Sequence, residues 1–584
     1  MEHWDLSKLY AGYDSKEFQT DFNQVDELIK VANSFIPRFS SEEAVNVVVE
    51  EYLKFEATVN TLVRKVYGFI SLNQSTNTTC QESGKYSVQM QKKLAGFTQS
   101  NTLFSKYIAK VDDVDALVAD SEFLKDHTFL IEEAIKQNKY VLDDQTETLL
   151  SKLGQSSGSL WGRMQSVLTS TLEVEYDGKI ITLPEVINLA SDSDPEVRKN
   201  AYYAELESYK KIDKAVAFAL NGIKGQVNTL TEKRGYNGAL GQALEYSRMN
   251  KETLDAMIEA MNEYLPVFRT YLKRKAKLLG HKNGLPFYDI YAPLGSSAKE
   301  FTIPEAQDYI LKNFGTFSDH LKGLAQRAFD NNWIDYRPYK GKVGGAFCSN
   351  IHPIKESRVL LNMTGSFSDV ITMAHELGHA YHGDNIFSNT ILNSSYTMPV
   401  AETASTFCET IVMKAALKDA TDEEKLYLLD SDLQGSTQVI VDILSRFIFE
   451  TSVFEGNKTN FLDENKLKEL MLDAQEQTYG DGLDKDLRHP YMWLWKPHYY
   501  SAGLSFYNWP YAFGLLFAKG LYGIYQLEGD TFPPKYDELL KATGRLNVED
   551  IAKLADIDVT SIDFWRTSLN VVKEDIDLFL ELTK

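Results

Sequence analysis

Three of the ten histidines in this 584-residue chain fall within eight positions, in the run His375-Glu376-Leu377-Gly378-His379-Ala380-Tyr381-His382. Its core reads H-E-x-x-H. On a helix, side chains four positions apart project from one face, so the two imidazoles of His375 and His379 can reach a single Zn²⁺ at about 2.1 Å each. Glu376 lies beside them, placed to contact a water rather than the metal. This is the donor set of a metal-assisted hydrolase: the cation activates water and a carboxylate moves its proton.

A catalytic zinc wants a third protein ligand and one open position. The next predicted helix has Pro399 at a first-turn position and an apolar surface from Val400, Ala401, Ala404, Phe407, Cys408, Ile411 and Val412. Glu402, Ser405 and Glu409 run through it at i, i+3 and i+7. Carboxylates on an apolar helix are costly unless paired or coordinating. Glu402 is the favoured ligand; Glu409 is either an acceptor for an imidazole N–H or itself the ligand.

Hydrolysing an amide develops an oxyanion, which a phenol or an imidazole N–H can stabilise. The aromatic run His498-Tyr499-Tyr500, then Phe506-Tyr507-Asn508-Trp509-Pro510-Tyr511, supplies such groups, although a dense aromatic run also suits a core. Just before the motif, Gly344-Gly345-Ala346 offers small residues past which another backbone could approach, so that a bound peptide adds as a strand. Cys348 and Cys408 lie near this site in sequence and read as buried, inert thiols.

The elements that must position these groups are mostly helical. The motif helix can be capped by Ser366 or Ser368 and stopped by Gly383. Apolar residues recur at helical spacing over 18–35, where Phe22, Val25, Leu28, Ile29 and Ala32 share a face, and again over 42–72, 112–136, 195–232, 251–277, 424–454 and 547–582. The fifteen prolines fall mostly at segment edges, which leaves these helices intact. Strand signals are local: 172–176 and 179–183 flank Asp177-Gly178, a type I′ hairpin signature, and a second pair spans 344–351 and 357–363. The fold class is therefore mainly α with small sheets. Punctuation at 191–195 allows a boundary dividing the chain into 1–195 and 196–584.

Composition excludes other classes. A net charge of −22, from 61 Lys+Arg against 83 Asp+Glu, repels phosphate backbones and argues against nucleic-acid partners. Three well-separated cysteines make no disulfide framework. No signal-peptide pattern and no membrane-spanning apolar stretch is visible, so the expectation is a soluble cytoplasmic protein. If the acidic charge lines a substrate channel, basic peptides should be favoured.

The motif at 375–382, followed by Glu402-Thr403-Ala404-Ser405 and Glu409, resembles the thimet oligopeptidase and oligoendopeptidase F family of zinc peptidases, most closely its bacterial oligoendopeptidase F branch. The resemblance runs from about residue 200 to the end and is weaker before it. It implies two helical lobes enclosing a deep channel, with a small sheet beside the zinc helix, and one Zn²⁺ per chain held by His375, His379 and Glu402. Glu376 is then the general base and Glu409 supports an imidazole. It further implies that His498 and Tyr507 stabilise the oxyanion, and that Gly344, Gly345, Ala346, Tyr500 and Tyr511 contact a short peptide substrate. The sequence departs from the family pattern at Trp509 and Pro510, which leaves open which phenol faces the oxyanion. Two other readings fit the motif: a zinc hydrolase of a non-peptide amide, and a helical protein that binds zinc or peptide without turnover.

Overall fold

The computed structural model describes residues 2–295 and 300–584, and helices account for most of them. The first long helix, Lys16–Ser34, shows why. Ser15 Oγ accepts from the Phe18 N–H, and Phe18, Phe22, Val25, Leu28 and Ala32 then recur at the helical period and are buried. The Phe, Val and Leu side chains each contribute roughly 1.5–3 kcal/mol on leaving water.

Several expected helices are divided. The 112–136 segment forms three short helices, Val114–Val118, Glu122–Asp126 and Thr128–Asn138, because Asp113 and Ser121 each begin a new one by accepting the N–H three residues on. The 195–232 segment breaks between Pro195–Tyr209 and Asp213–Arg234, and the last expected helix divides into Val548–Lys553 and Ile562–Leu582. The 424–454 segment is Asp422–Thr437 and Ile443–Asn457 joined without interruption by a π-turn, Gln438–Asp442. One proline breaks the edge rule: Pro266 lies inside Lys251–Leu278.

Strands Glu173–Tyr176 and Lys179–Thr182 pair antiparallel across Asp177 and Gly178, whose φ values of +49° and +70° are those of the expected turn. A second sheet has the order Ile334–Asp335, Glu356–Leu360, Phe347–Ile351, its first pair parallel and its second antiparallel. The parallel strand carried no sequence signal. Its outer strand begins at Phe347, so Gly344, Gly345 and Ala346 precede the strand rather than belong to it.

Apolar residues gather into three cores among the described residues. One is built on Phe18, Phe22 and Phe69, a second on Tyr52, Phe104 and Ile131, and the largest runs from Leu172 to Phe579. Leu172, Val174, Leu183 and Val186 join the largest, so the hairpin packs with the C-terminal part of the chain. Neighbouring residues of one strand serve different cores: Val359 belongs to the largest, Leu360 to the first. That is the period-two alternation of a strand applied to two bodies. Among the described residues, no helix is long and apolar enough to cross a membrane.

Candidate metal centre

The motif lies on the helix Phe367–Ile386. Ser366 is its cap, and the Asp369 carboxylate accepts from the N–H groups of Thr364, Gly365 and Ser366 at 3.0, 2.9 and 2.9 Å. Burial pushes the Asp369 carboxyl up, but these donors outweigh it and hold it below the usual range. The helix runs past Gly383, which is no stop. A Cβ there would meet the Asn350 side chain at 2.4 Å, so this glycine is a point of close approach to the outer strand. Asn350 Nδ2 in turn donates to the His379 carbonyl at 3.0 Å.

Glu402 sits at a break between Met398–Ala401 and Thr403–Asp419 rather than within one helix, with φ −91° and ψ 6°. The break brings its carboxylate over the motif helix. His375 Nε2 and His379 Nε2 are 3.2 Å apart, and Glu402 Oε2 lies 3.3 and 3.4 Å from them. A tetrahedral centre with bonds of ~2.0–2.1 Å has ligand separations of about 3.3–3.4 Å, so these three donors fit one Zn²⁺. Among the described residues this is the group of metal-type side chains so disposed.

Two further contacts orient the donors. Ser405 Oγ donates to Glu402 Oε2 at 2.6 Å. His375 Nδ1 donates to Glu409 Oε1, which leaves the Nε2 lone pair toward the other two donors. Gly378 lets the helices meet: a Cβ there would come within 2.5 Å of the Ala404 carbonyl oxygen and 2.6 Å of Ser405 Cα. From the other side, a Cβ on Gly514 would sit 3.0 Å from Glu402 Cβ, so the helix Trp509–Glu528 closes over that carboxylate.

Glu376 is 5% exposed. Burial pushes its carboxyl up to about 7, against the pull of His375 and with the help of Glu402 and Glu409. A dication beside it would draw it back down.

His375, Glu402, Glu409, Asp432, Gln438 and Tyr511 border a cavity of about 400 Å³. Tyr511, expected among the substrate contacts, lines this cavity, as does Tyr427. The Tyr511 hydroxyl is 2.5 Å from that of Tyr507, whose ring lies over His498 at 5.6 Å. His498 is therefore one layer farther back. Its Nε2 accepts from Asn508 Nδ2 at 2.9 Å, and Arg446 donates to Asn508 Oδ1 at 3.3 Å and to Asp442 of the π-turn. Burial, then Arg446, Lys496 and Lys224, depress His498 to about 3, so its ring is neutral. The bend that delivers Tyr507 is Phe506, at φ +53°, a conformation rare for an aromatic residue and held by stacking on Phe454 at 5.4 Å.

Other expected contacts fall elsewhere. Tyr500 is a correction: it is buried, and its hydroxyl donates to the Trp493 carbonyl at 3.1 Å, so it belongs to the core and presents nothing to a substrate. Gly344 and Gly345 are exposed ahead of the outer strand, and Asn362 Nδ2 donates to the Gly345 carbonyl at 2.8 Å. Asn350, Asp432, Gln438 and Gly514 were missed. Of these only Gly514 carried a readable signal, one it shares with Gly378, since glycine inside a helix costs about 1 kcal/mol and needs a reason.

Residues 188–571 match the description "Peptidase family M3" and residues 110–173 match "Oligopeptidase F". Oligopeptidase PepF of Bacillus subtilis is 25% identical over 99% of this chain and 87% of its own length. Group B oligopeptidase PepB of Streptococcus agalactiae is 24% identical over 98% of this chain and 95% of its own. A solved chain from Chlamydophila abortus has a TM-score of 0.86 at 21% identity, covering 100% of this chain and 98% of that one. The oligoendopeptidase-F of Enterococcus faecium gives a TM-score of 0.67 at 19%, covering 97% and 99%. These structural likenesses establish the mainly α fold. The longer sequence match spans well over half the chain and includes the H-E-x-x-H helix, Glu402, Tyr507 and Tyr511; the chain belongs to peptidase family M3 and, with it, to the metallopeptidases.

Proposed function

We propose that this protein is a zinc-dependent oligoendopeptidase that hydrolyses internal bonds of short, unfolded peptides in the cytoplasm. The observation that carries the reading is the 3.2–3.4 Å triangle of His375, His379 and Glu402 with the buried Glu376 beside it. His375, His379 and Glu402 would hold the zinc; when bound, it polarises the scissile carbonyl and acidifies water. Glu376 takes the proton of the attacking water and returns it to the departing amine, a role its position beside the three donors allows. Glu409 keeps the His375 ring in its ligating tautomer. Tyr511 donates to the developing oxyanion, with Tyr507 hydrogen-bonded behind it and His498 supporting Tyr507. The strand Phe347–Ile351, an outer strand preceded by Gly344, Gly345 and Ala346, takes the peptide backbone.

The division into 1–195 and 196–584 and the two lobes enclosing a deep channel belong to the same proposal, with the hairpin at 173–182 leaning from the first part onto the core of the second. A channel of that kind admits extended peptides and excludes folded proteins. The test joins metal analysis of purified protein to a panel of quenched fluorescent peptides, with and without chelator. Stoichiometric zinc with chelator-sensitive cleavage supports the proposal. Zinc without cleavage of any peptide would overturn it in favour of another amide, or of a silent binding protein.

A further inference from the structure

A second cavity, of about 290 Å³, lies across Gln438 from the first, and Gln438 borders both. Tyr202, Tyr288, Tyr291 and Trp495 form much of its wall. Its charged groups are not equally engaged. Arg198 Nε donates to Asp289 at 2.7 Å, and Nη1 donates to the Asp192 and Ser193 carbonyls at 2.7 and 3.1 Å. Glu205 accepts from the Tyr209 hydroxyl at 2.7 Å and from His489 Nε2 at 3.2 Å.

Lys496 is different. Among the described residues its ammonium has no ion-pair or hydrogen-bond partner, and it lies over the Trp495 ring, 3.8 Å from the centroid. Burial, and then Arg446, pull the Lys496 ammonium down to about 8, against the more distant attraction of Asp442 and Glu205, neither of which pairs with it directly. Buried polar groups are nearly always paired, and a half-buried unpaired cation costs desolvation energy with no return. In a chain of net charge −22, an ammonium left without a direct partner on a cavity wall calls for an anion.

We propose that this cavity is a carboxylate subsite for the peptide substrate, with the Lys496 ammonium as its donor. The proposal rests on the peptidase reading above. A peptide lying along the first cavity passes Gln438 and brings a carboxylate, either its C-terminus or an Asp or Glu side chain, to Lys496. The subsite opposes the preference for basic peptides expected from overall charge, and it confines that preference to other positions of the peptide.

The test uses the zinc-loaded full chain and one peptide sequence in three forms: free acid, C-terminal amide, and amide with Glu as the last residue. The free acid is expected to have a KM about tenfold below that of the plain amide, with similar kcat, and Lys496→Met is expected to bring that ratio to near one while Lys496→Arg preserves it. If the Glu-containing amide regains the advantage, the side chain is a source of the carboxylate; if not, the C-terminus is. Equal KM for all three forms in the wild type overturns the subsite, as does a Lys496→Met variant that keeps the ratio. Fluorescence anisotropy of the same peptides on Glu376→Gln protein reads binding without turnover. An acid-over-amide preference there, with no cleavage by the wild type, would separate failure of the peptidase reading from failure of the subsite.

Discussion

Gly378 and Ala404 stand so close that a single added carbon on Gly378 would come within 2.5 Å of the Ala404 carbonyl oxygen. The contact is between backbones, so no side chain can swing away to relieve it. It sets the distance between the helix that carries the two histidines and the turn that carries Glu402. Gly378→Ala should therefore push the Glu402 segment outward. The expected result is at least a tenfold loss of zinc affinity and a stability loss of about 1–3 kcal/mol. Chelator competition and thermal melts check it; wild-type zinc affinity in a folded variant would show that the approach does not set the site.

Glu376→Gln changes one atom and leaves the three donors in place. Zinc content should stay stoichiometric while kcat falls roughly 10²–10⁴-fold. A variant retaining more than about a tenth of wild-type turnover would remove Glu376 from the role of base.

Glu409 holds the candidate metal site through His375 Nδ1. Its replacement by Ala is expected to weaken zinc binding about 10–100-fold, because the ring loses both its orientation and its fixed tautomer. With zinc restored in excess, activity should return in large part. An unaltered zinc affinity would mean that the hydrogen bond plays no part in binding.

The two tyrosines are separable by single-atom changes. Tyr511→Phe should lower kcat about 10²–10³-fold with KM little altered, as expected for a donor used in the transition state. Tyr507→Phe should cost less, since its hydroxyl reaches the cavity through Tyr511. The reverse order in a steady-state comparison would hand the oxyanion to Tyr507.

His320 gives a pH dependence away from the metal. Its Nε2 donates to Asp384 and its Nδ1 to Asp537, each at 2.9 Å, tying the helix Asp319–Asp330 to the motif helix and to Phe532–Ala542. Hydrogen bonds to Asp384 and then Asp537 raise its imidazole to about 9, above the unfolded value near 6.5. The stabilisation is thus complete below about pH 6.5 and is lost as pH rises through 9. Melting temperature should fall across that window in the wild type and fall less in His320→Gln. Parallel pH curves for the two proteins would count against the clamp.

The range of each signal decides how much of the fold and site is legible in the sequence. The caps and turns are local, so Ser366 at the motif helix and Asp177-Gly178 at the hairpin are legible, as is the His375–His379 pair at one-turn spacing. Glu402 stands out as a carboxylate on an apolar stretch, but the backbone break that aims it depends on contacts with Gly514 and the motif helix, which are remote in sequence. Gly383 is misleading because glycine serves both at helix ends and at close approaches, and only the position of Asn350 decides between them. Tyr500 and Tyr511 look alike in an aromatic run. The left-handed turn at Phe506 lies between the buried one and the one at the cavity, and nothing in the residue type announces it. The π-turn at Gln438–Asp442 is likewise silent, since its residues have ordinary helical composition.

The outer sheet has a mechanical consequence. Leu360 and Ile351 are anchored in the first N-terminal core, whereas Val359, next to Leu360 on the same strand, is anchored in the core of the metal helix. Close-packed interiors transmit displacement rather than absorb it. A load on the N-terminal core is carried along Phe347–Ile351, and the Asn350 amide on that strand grips the His379 carbonyl. The strand is a linkage that ends one hydrogen bond from His379.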